Sequence, residues 1–216
     1  MSTTKQYVST RDESVPLFSS RLLDVLSRVH WSHPLVLWLP IVGYMLYRAV
    51  ALSGELWPWI GPLAIAGMAA WTLSEYLLHR FVFHYEPSSE WGKRLHFLMH
   101  GVHHDYPNDS RRLVMPPVVS ICLAVPFFTF FWLLLGPGFT FYAVTAGFVV
   151  GYLIYDMMHY ALHHVPFKNS ILVALKRHHM NHHFHDSEHG FGVSTTFWDL
   201  VFRTTFARVR GGRLPR

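Results

Sequence analysis

The chain has 216 residues and a net charge of +5, from 18 Lys and Arg against 13 Asp and Glu. Only 14% of residues are charged and 51% are hydrophobic, whereas soluble domains are about 25% charged. That balance excludes a disordered, collagenous or coiled-coil chain and a nucleic-acid binder, and it points to a membrane protein. The single cysteine, Cys122, excludes an intramolecular disulfide, a Cys-ligated zinc finger and a four-cysteine iron–sulfur site.

Residues 1–33 form an N-terminal segment with no basic stretch leading into an apolar one, so no cleaved signal peptide is expected. A spanning helix needs about 20 mostly apolar residues. The first crossing is predicted at about 34–53, with Arg48 near its far end, where it can snorkel. The second is predicted at about 58–80, uncharged up to Glu75. Residues 113–155 then run for 43 positions without a charge or a histidine, too long for one crossing. Gly136-Pro137-Gly138 interrupts them, predicting a helical hairpin of crossings at about 117–135 and 139–160. Residues 207–216 read as a basic tail able to sit on anionic lipid.

Lys and Arg set the orientation. Four precede residue 34, five lie between Arg80 and Arg112, and eight follow Ala161. Only Arg48 falls on the far side, so 17 of the 18 share one side, expected to be cytoplasmic. All 17 histidines fall on that side too, although they played no part in placing the crossings.

Ten of these histidines form four clusters: His79 and His84; His100, His103 and His104; His159 and His163; His179, His182 and His183. Residues three and four apart share a helix face, so each of the last three clusters can present a converging set of imidazoles. His79 and His84 are five apart and do not share a face in a regular helix; a helix ending near Arg80 would let His84 turn back. Ten imidazoles exceed the four ligands of a closed structural zinc site. They suit two metals with about five nitrogens each and room for a ligand such as O₂. Imidazole alone does not distinguish iron, zinc, copper and nickel. A ligating His usually donates its outer N–H to an acceptor. Glu75, one turn before His79, and Asp156, three residues before His159, are the candidates. An acid placed deeper would cost about 2.5–3.5 kcal/mol. His30, His33, His185 and His189 read as interfacial, His96 as a residue that packs beside or supports the ligands, and His96, His164 and His178 as the alternatives to the assigned ligands.

These residues resemble the membrane fatty acid hydroxylase superfamily, and within it the fatty acid 2-hydroxylases. The signature runs through Glu75-Tyr76-x-x-His79-Arg80-Phe81-x-Phe83-His84 and His96-Phe97-x-x-His100-Gly101-x-His103-His104. It continues through Arg112-Leu113-Val114-Met115-Pro116-Pro117 and Tyr155-Asp156-Met157-x-His159-Tyr160-x-Leu162-His163. It closes with His179-x-x-His182-His183-Phe184, Gly190-Phe191-Gly192-Val193-Ser194-Thr195 and Trp198-Asp199. The resemblance implies an all-α integral membrane fold, with four transmembrane helices and a cytoplasmic His-rich helical cap holding a dimetal centre. It implies the ten histidines as metal ligands and O₂-dependent hydroxylation at C2 of a fatty acyl chain, of a fatty acid or a sphingolipid-type substrate. Iron is expected in the active enzyme, because zinc has no redox chemistry; zinc can occupy a purified protein. The aromatic run 127–132 is a candidate lining for the acyl tail.

The chain departs from the relatives in two places. Eukaryotic relatives often carry a fused cytochrome b5 domain with an HPGG haem motif, whereas here His33-Pro34 is followed by Leu35. A separate electron donor, of cytochrome b5 or ferredoxin type, is therefore expected. Phe202-Arg203-Thr204 stands where relatives often have Phe-Gly-Thr. A bacterial inner membrane or the endoplasmic reticulum both suit the chain. The competing readings are a sterol or carotenoid hydroxylase or desaturase of the same superfamily, and a His-rich metal transporter. A transporter places polar ligands near the membrane midplane, where these runs have none.

Overall fold

Long apolar runs punctuated by Gly and Pro leave the backbone one way to satisfy its N–H and C=O groups in lipid, the helix. The computed structural model describes residues 7–206, and these are all-helical, with no strand among them. A short helix α1 (Arg21–Leu26) precedes α2 (His33–Ser53). A 3-10 turn with Gly54 at φ 53° leads into α3 (Ile60–Leu78). Short helices α4 (Glu90–His96) and α5 (Val102–Asp105) follow, then the hairpin α6 (Pro117–Leu135) and α7 (Phe139–His164). The chain continues through α8 (Ser170–Phe184) and α9 (Phe197–Val201). Three stretches are long and apolar enough to cross a membrane: His33–Phe83, which contains both α2 and α3, then Pro117–Leu135 and Phe139–His164. The hairpin breaks at the glycine–proline–glycine turn, and α7 runs one turn past the expected 160, carrying His163. The basic tail lies outside the described residues.

Helix α7 is central, and α2, α3 and α6 pack around it. Its Ala143, Gly147 and Gly151 recur every fourth residue, so small side chains line one face and another backbone can approach closely. Helix α3 fills that face. A Cβ on Gly147 would sit 1.9 Å from the Ala64 carbonyl oxygen, and one on Gly67 would sit 2.0 Å from that of Val144. Trp71 covers Gly151 and packs edge-on to Phe148 and Tyr152. Trp38 of α2 reaches Tyr152 from the other side and donates to Ser120 Oγ of α6 at 3.1 Å. The ends of α3 and α7 that carry His79 and His159 are thereby held side by side.

The N-terminal segment is a strap across the histidine-bearing end. Val8 and Ser9 donate to the Asp105 carbonyl, and Ser14 Oγ donates to Asp109 at 2.6 Å. Asp24, the buried residue of α1, accepts from Leu17 N, Arg28 and Arg112 at 2.8, 2.6 and 3.1 Å. Arg112 opens the Arg-Leu-Val-Met-Pro-Pro segment, so this motif ties the strap to the core.

Replacing Gly147 by Ile forces a branched side chain into backbone, a strain of about 1–3 kcal/mol or more. Gly147→Ile is expected to lower the folded, monodisperse fraction in detergent, read by size-exclusion chromatography. Ala124→Ile, on the half-buried outer helix α6, is expected to change it far less.

Candidate metal centre

The sequence-selected histidines meet at one end of the bundle. His79, His84, His100, His104 and His182 form one group of five, and His103, His159, His163, His179 and His183 form a second. Within each group the ligand atoms all lie within 4.8 Å of one another. The clusters do not each feed one group. His100 and His104 face the first while His103 faces the second; His182 joins the first while His179 and His183 join the second. A helix places i and i+4 on one line and i+3 some 60° to the side, which is what divides each triplet between adjacent sites. The groups touch through His104 and His183, whose ring centroids are 4.4 Å apart.

His84 reaches the first group by a route unlike the expected one. The helix does not stop near Arg80. It widens into a π turn over His79–Phe83, and His84 N donates to the His79 carbonyl at 3.2 Å. A turn closed by an i to i+5 bond puts residues five apart on one face. A second π turn, Phe97–Gly101, presents His100. His96, His164 and His178 belong to neither group.

In the first group, His100 Nε2 lies 3.1 Å from His79 Nε2, 3.2 Å from His84 Nε2 and 3.0 Å from His104 Nε2. His182 Nε2 lies 3.0 Å from His84 Nε2. In the second, His159 and His103 are 2.8 Å apart, His163 and His179 2.9 Å, and His183 and His179 3.2 Å, all at Nε2. One proton on His100 can serve only one of its three neighbours. His79 and His182 spend their Nδ1 protons on the carbonyls of Phe191 and His189, so their Nε2 lone pairs face the others bare. Two nitrogens each about 2.1 Å from one ion, at right angles, lie about 3 Å apart. The donor set and its spacing therefore fit metal ions.

Burial keeps these rings neutral, the form that binds metal. It pushes His84 down to about 3 and His182 to about 4. It also holds His100, His103, His104, His179 and His183 well below the usual imidazole range, with neighbouring imidazoles adding to the effect.

Neither acid singled out as an acceptor for the ligating rings bonds to a histidine. Glu75 accepts from Val193 N at 2.7 Å, from Ser194 N at 2.8 Å and from the Ser194 hydroxyl. Asp156 accepts from Met115 N and from the Tyr152 hydroxyl, each at 3.2 Å. Both acids hold loops. The residue missed by sequence reasoning is Asp199. It accepts from Phe191 N and Gly192 N at 2.9 Å, Thr204 Oγ1 at 2.8 Å and His178 Nε2 at 3.0 Å. Burial pushes its carboxyl up, but the bonds from His178, Gly192 and Thr204 outweigh this and hold it below the usual range. The Trp198-Asp199 pair in the motif was its only signal.

A cavity of about 800 Å³ opens onto both groups, lined by His100, His103 and His159 and by apolar residues including Leu98, Leu113 and Val119. The aromatic run 127–132 does not line it. Phe127 and Phe128 pack with Trp38 and Trp71 around a space of only about 30 Å³, and Phe130 and Trp132 point outward. Hairpin geometry turns that run away from the histidine end.

A family model described as fatty acid hydroxylase matches residues 64–204. The chain belongs to the fatty acid hydroxylase family. It is 39% identical over 199 residues to the dihydroceramide fatty acyl 2-hydroxylase FAH1 of Arabidopsis thaliana, covering 92% of this chain and 83% of that one. It is 38% identical to the fatty acid 2-hydroxylase of Rattus norvegicus, covering 88% of this chain and 56% of that one. The ceramide very long chain fatty acid hydroxylase SCS7 of Saccharomyces cerevisiae is 41% identical, covering 88% of this chain and 49% of the yeast protein. A solved structure of full-length scs7p, with only its hydroxylase domain visible, matches with a TM-score of 0.84 at 39% identity, over 94% of this chain and 75% of that one.

The Arg203 departure has a local consequence. Arg203 sits at φ 58°, in the left-handed region, where a side chain costs about 1–2 kcal/mol. The extra freedom of glycine in the unfolded chain offsets part of this. Arg203→Gly is expected to raise the melting temperature in detergent, and Arg203→Val to lower it.

The buried imidazoles also set a pH dependence for metal-free protein. The unfolded chain binds their protons near pH 6.5, while the folded chain refuses them until far lower pH. Stability is therefore full above about pH 6.5 and falls as the pH drops through the window down to about 3. Thermal unfolding of chelator-treated protein between pH 8 and pH 5 is expected to show the loss begin below about 6.5.

Proposed function

We propose that the chain hydroxylates C2 of a fatty acyl chain, using O₂ and two metal ions held by the ten clustered histidines, five to each. The observation that carries this reading is the apolar cavity lined by histidines of both groups. Relatives named fatty acid 2-hydroxylase and dihydroceramide fatty acyl 2-hydroxylase support the position of attack. A redox-active pair, iron in the working enzyme, would activate O₂ as the oxidant, chemistry that imidazole and carboxylate side chains lack.

The protein residues bind, orient and exclude water. Leu98, Leu113 and Val119 give an acyl chain an apolar wall. His100, His103 and His159 bring both metal sites to that wall, and attack at C2 requires the carbons nearest the carboxyl or amide head to face the reacting centre. Asp156 fixes the wall by holding the Met115 amide, and Arg112 fixes the strap that carries Leu17 over the cavity. Enclosure keeps water from the reacting centre.

In this reading α2, α3, α6 and α7 are four crossings, with the histidine end cytoplasmic. The excess of Lys and Arg on that side supports the orientation. The protein then lies in a bacterial inner membrane or the endoplasmic reticulum. Electrons come from a separate donor of cytochrome b5 or ferredoxin type, and the basic residues of this face suit an acidic carrier. The substrate is a free fatty acid or the acyl chain of a sphingolipid-type membrane lipid.

Expression in a host without 2-hydroxy fatty acids, followed by mass spectrometry of hydrolysed lipids, tests the assignment. A 2-hydroxyacyl product is expected. It should vanish in a His159→Ala, His163→Ala double variant present at equal membrane abundance. A hydroxylated sterol or carotenoid would overturn the acyl assignment and keep the metal sites.

A further inference from the structure

Resting on the two proposed metal sites, we propose that Asp199, supported by Glu75, is a positioning residue for the first site alone. It acts through the planes of two peptide bonds in the loop 189–194. Five consecutive amides of this loop are pinned, none by regular secondary structure. Gly190 N donates to the Thr204 carbonyl at 2.9 Å. Phe191 N and Gly192 N donate to Asp199, and Val193 N and Ser194 N donate to Glu75.

A peptide unit is planar, and its N–H and C=O point in opposite directions. Fixing one therefore aims the other. The unit joining Phe191 to Gly192 has its N–H on Asp199 Oδ2 and its carbonyl on His79 Nδ1. The unit joining His189 to Gly190 has its N–H on the Thr204 carbonyl and its own carbonyl on His182 Nδ1 at 2.8 Å. Thr204 is in turn set by Asp199, which accepts from Thr204 Oγ1 with its carboxylate and from Thr204 N with its backbone carbonyl at 2.8 Å each. One residue thus bears on the ring orientation and tautomer of two histidines of the first group without touching either, directly through one peptide for His79 and through Thr204 for His182. The Asp199 carboxylate on the Gly192 N–H also polarises the Phe191–Gly192 peptide, which strengthens the carbonyl that His79 meets as an acceptor.

The loop sequence is built for this. A Cβ on Gly192 would lie 2.1 Å from the Thr195 carbonyl oxygen and 2.8 Å from Asp199 Oδ2, and Gly190 holds φ 75°. Among the described residues no such support reaches three rings of the second group. Nδ1 of His163, His179 and His183 is buried with no protein hydrogen-bond partner among the described residues.

The test uses purified full-length protein in detergent, with zinc affinity read by chelator competition. His163→Ala leaves only the first group intact, and His84→Ala leaves only the second. Asp199→Asn is expected to weaken zinc binding about 10–100-fold in the His163→Ala chain. In the His84→Ala chain, affinity is expected to stay within about twofold. Thr204→Val, a milder change should Asp199→Asn fold poorly, is expected to act in the same background only, by a severalfold loss. Equal weakening in both backgrounds, or no change in the first, overturns the positioning role. A His163→Ala chain that binds no zinc at all instead overturns the two-site reading, and the proposal falls with it.

Discussion

Two groups of five imidazole nitrogens crowd together, the nearest neighbours about 3 Å apart with too few protons to go round, and most of the chain serves to hold them there. Neutral lone pairs at that separation repel, and burial denies them the charge that water would offer. Such an arrangement survives only if the scaffold costs more to distort than the crowding gains by relaxing. The scaffold is the contact of α3 on α7, where Gly67 and Gly147 let two backbones meet with no side chain between them. Close packing of that kind has few ways to slide. Because His79 ends α3 and His159 and His163 end α7, stiffness in the apolar core becomes precision at the polar end.

The surrounding pieces then have definite jobs. The π turns at His79–Phe83 and Phe97–Gly101 re-aim histidines that a regular helix would send elsewhere. Helix α8 is started by Asn169, whose side chain accepts from Ile171 N and Leu172 N, and it delivers three rings to the two groups. The strap holds the cavity wall through Asp24 and Arg112, a buried pairing that gains from having several hydrogen bonds. Helix α1 is inverted in polarity: it buries Asp24 and exposes Leu22, Leu23, Val25 and Leu26. The buried acid anchors Arg112, while the apolar side chains face outward just before the first long apolar helix.

The sequence carried the parts whose signal is local. Apolar length and the Gly136-Pro137-Gly138 break placed the hairpin to the residue at three of its four ends, because hydrophobicity and backbone breaking act within a few residues. Spacing picked out the same ten histidines that converge in space. What it could not carry was their partition, since whether His103 joins His100 or His159 depends on how helices far apart in the chain cross. The π turn under His84 was equally hidden. It costs a local hydrogen-bond shift that is offset by partners distant in the chain, among them Phe191 and His182, more than a hundred and about a hundred residues away. The hydrogen-bond partners of Glu75 and Asp156 were hidden for the same reason. Proximity in sequence to a histidine says little about where a carboxylate points once a distant loop offers it two free amides.

The bonds these acids make follow a preference in how this site is stabilised. A carboxylate bonded straight to a ligating imidazole would fix its tautomer, but it would also favour the imidazolium, which cannot bind metal. A backbone carbonyl fixes the tautomer with far less pull on the proton. In this structure Asp199 binds the Gly192 amide, whose own peptide carbonyl meets His79, while the carbonyl that meets His182 belongs to a peptide held through Thr204. The charge stays one peptide away from the ring. Of the histidines near the site, His178 does meet a carboxylate, Asp199 at 3.0 Å, and it stands outside both groups. The negative charge that a cation-binding site needs nearby is thus present, buried and hydrogen-bonded, without competing for the lone pairs on which the site depends.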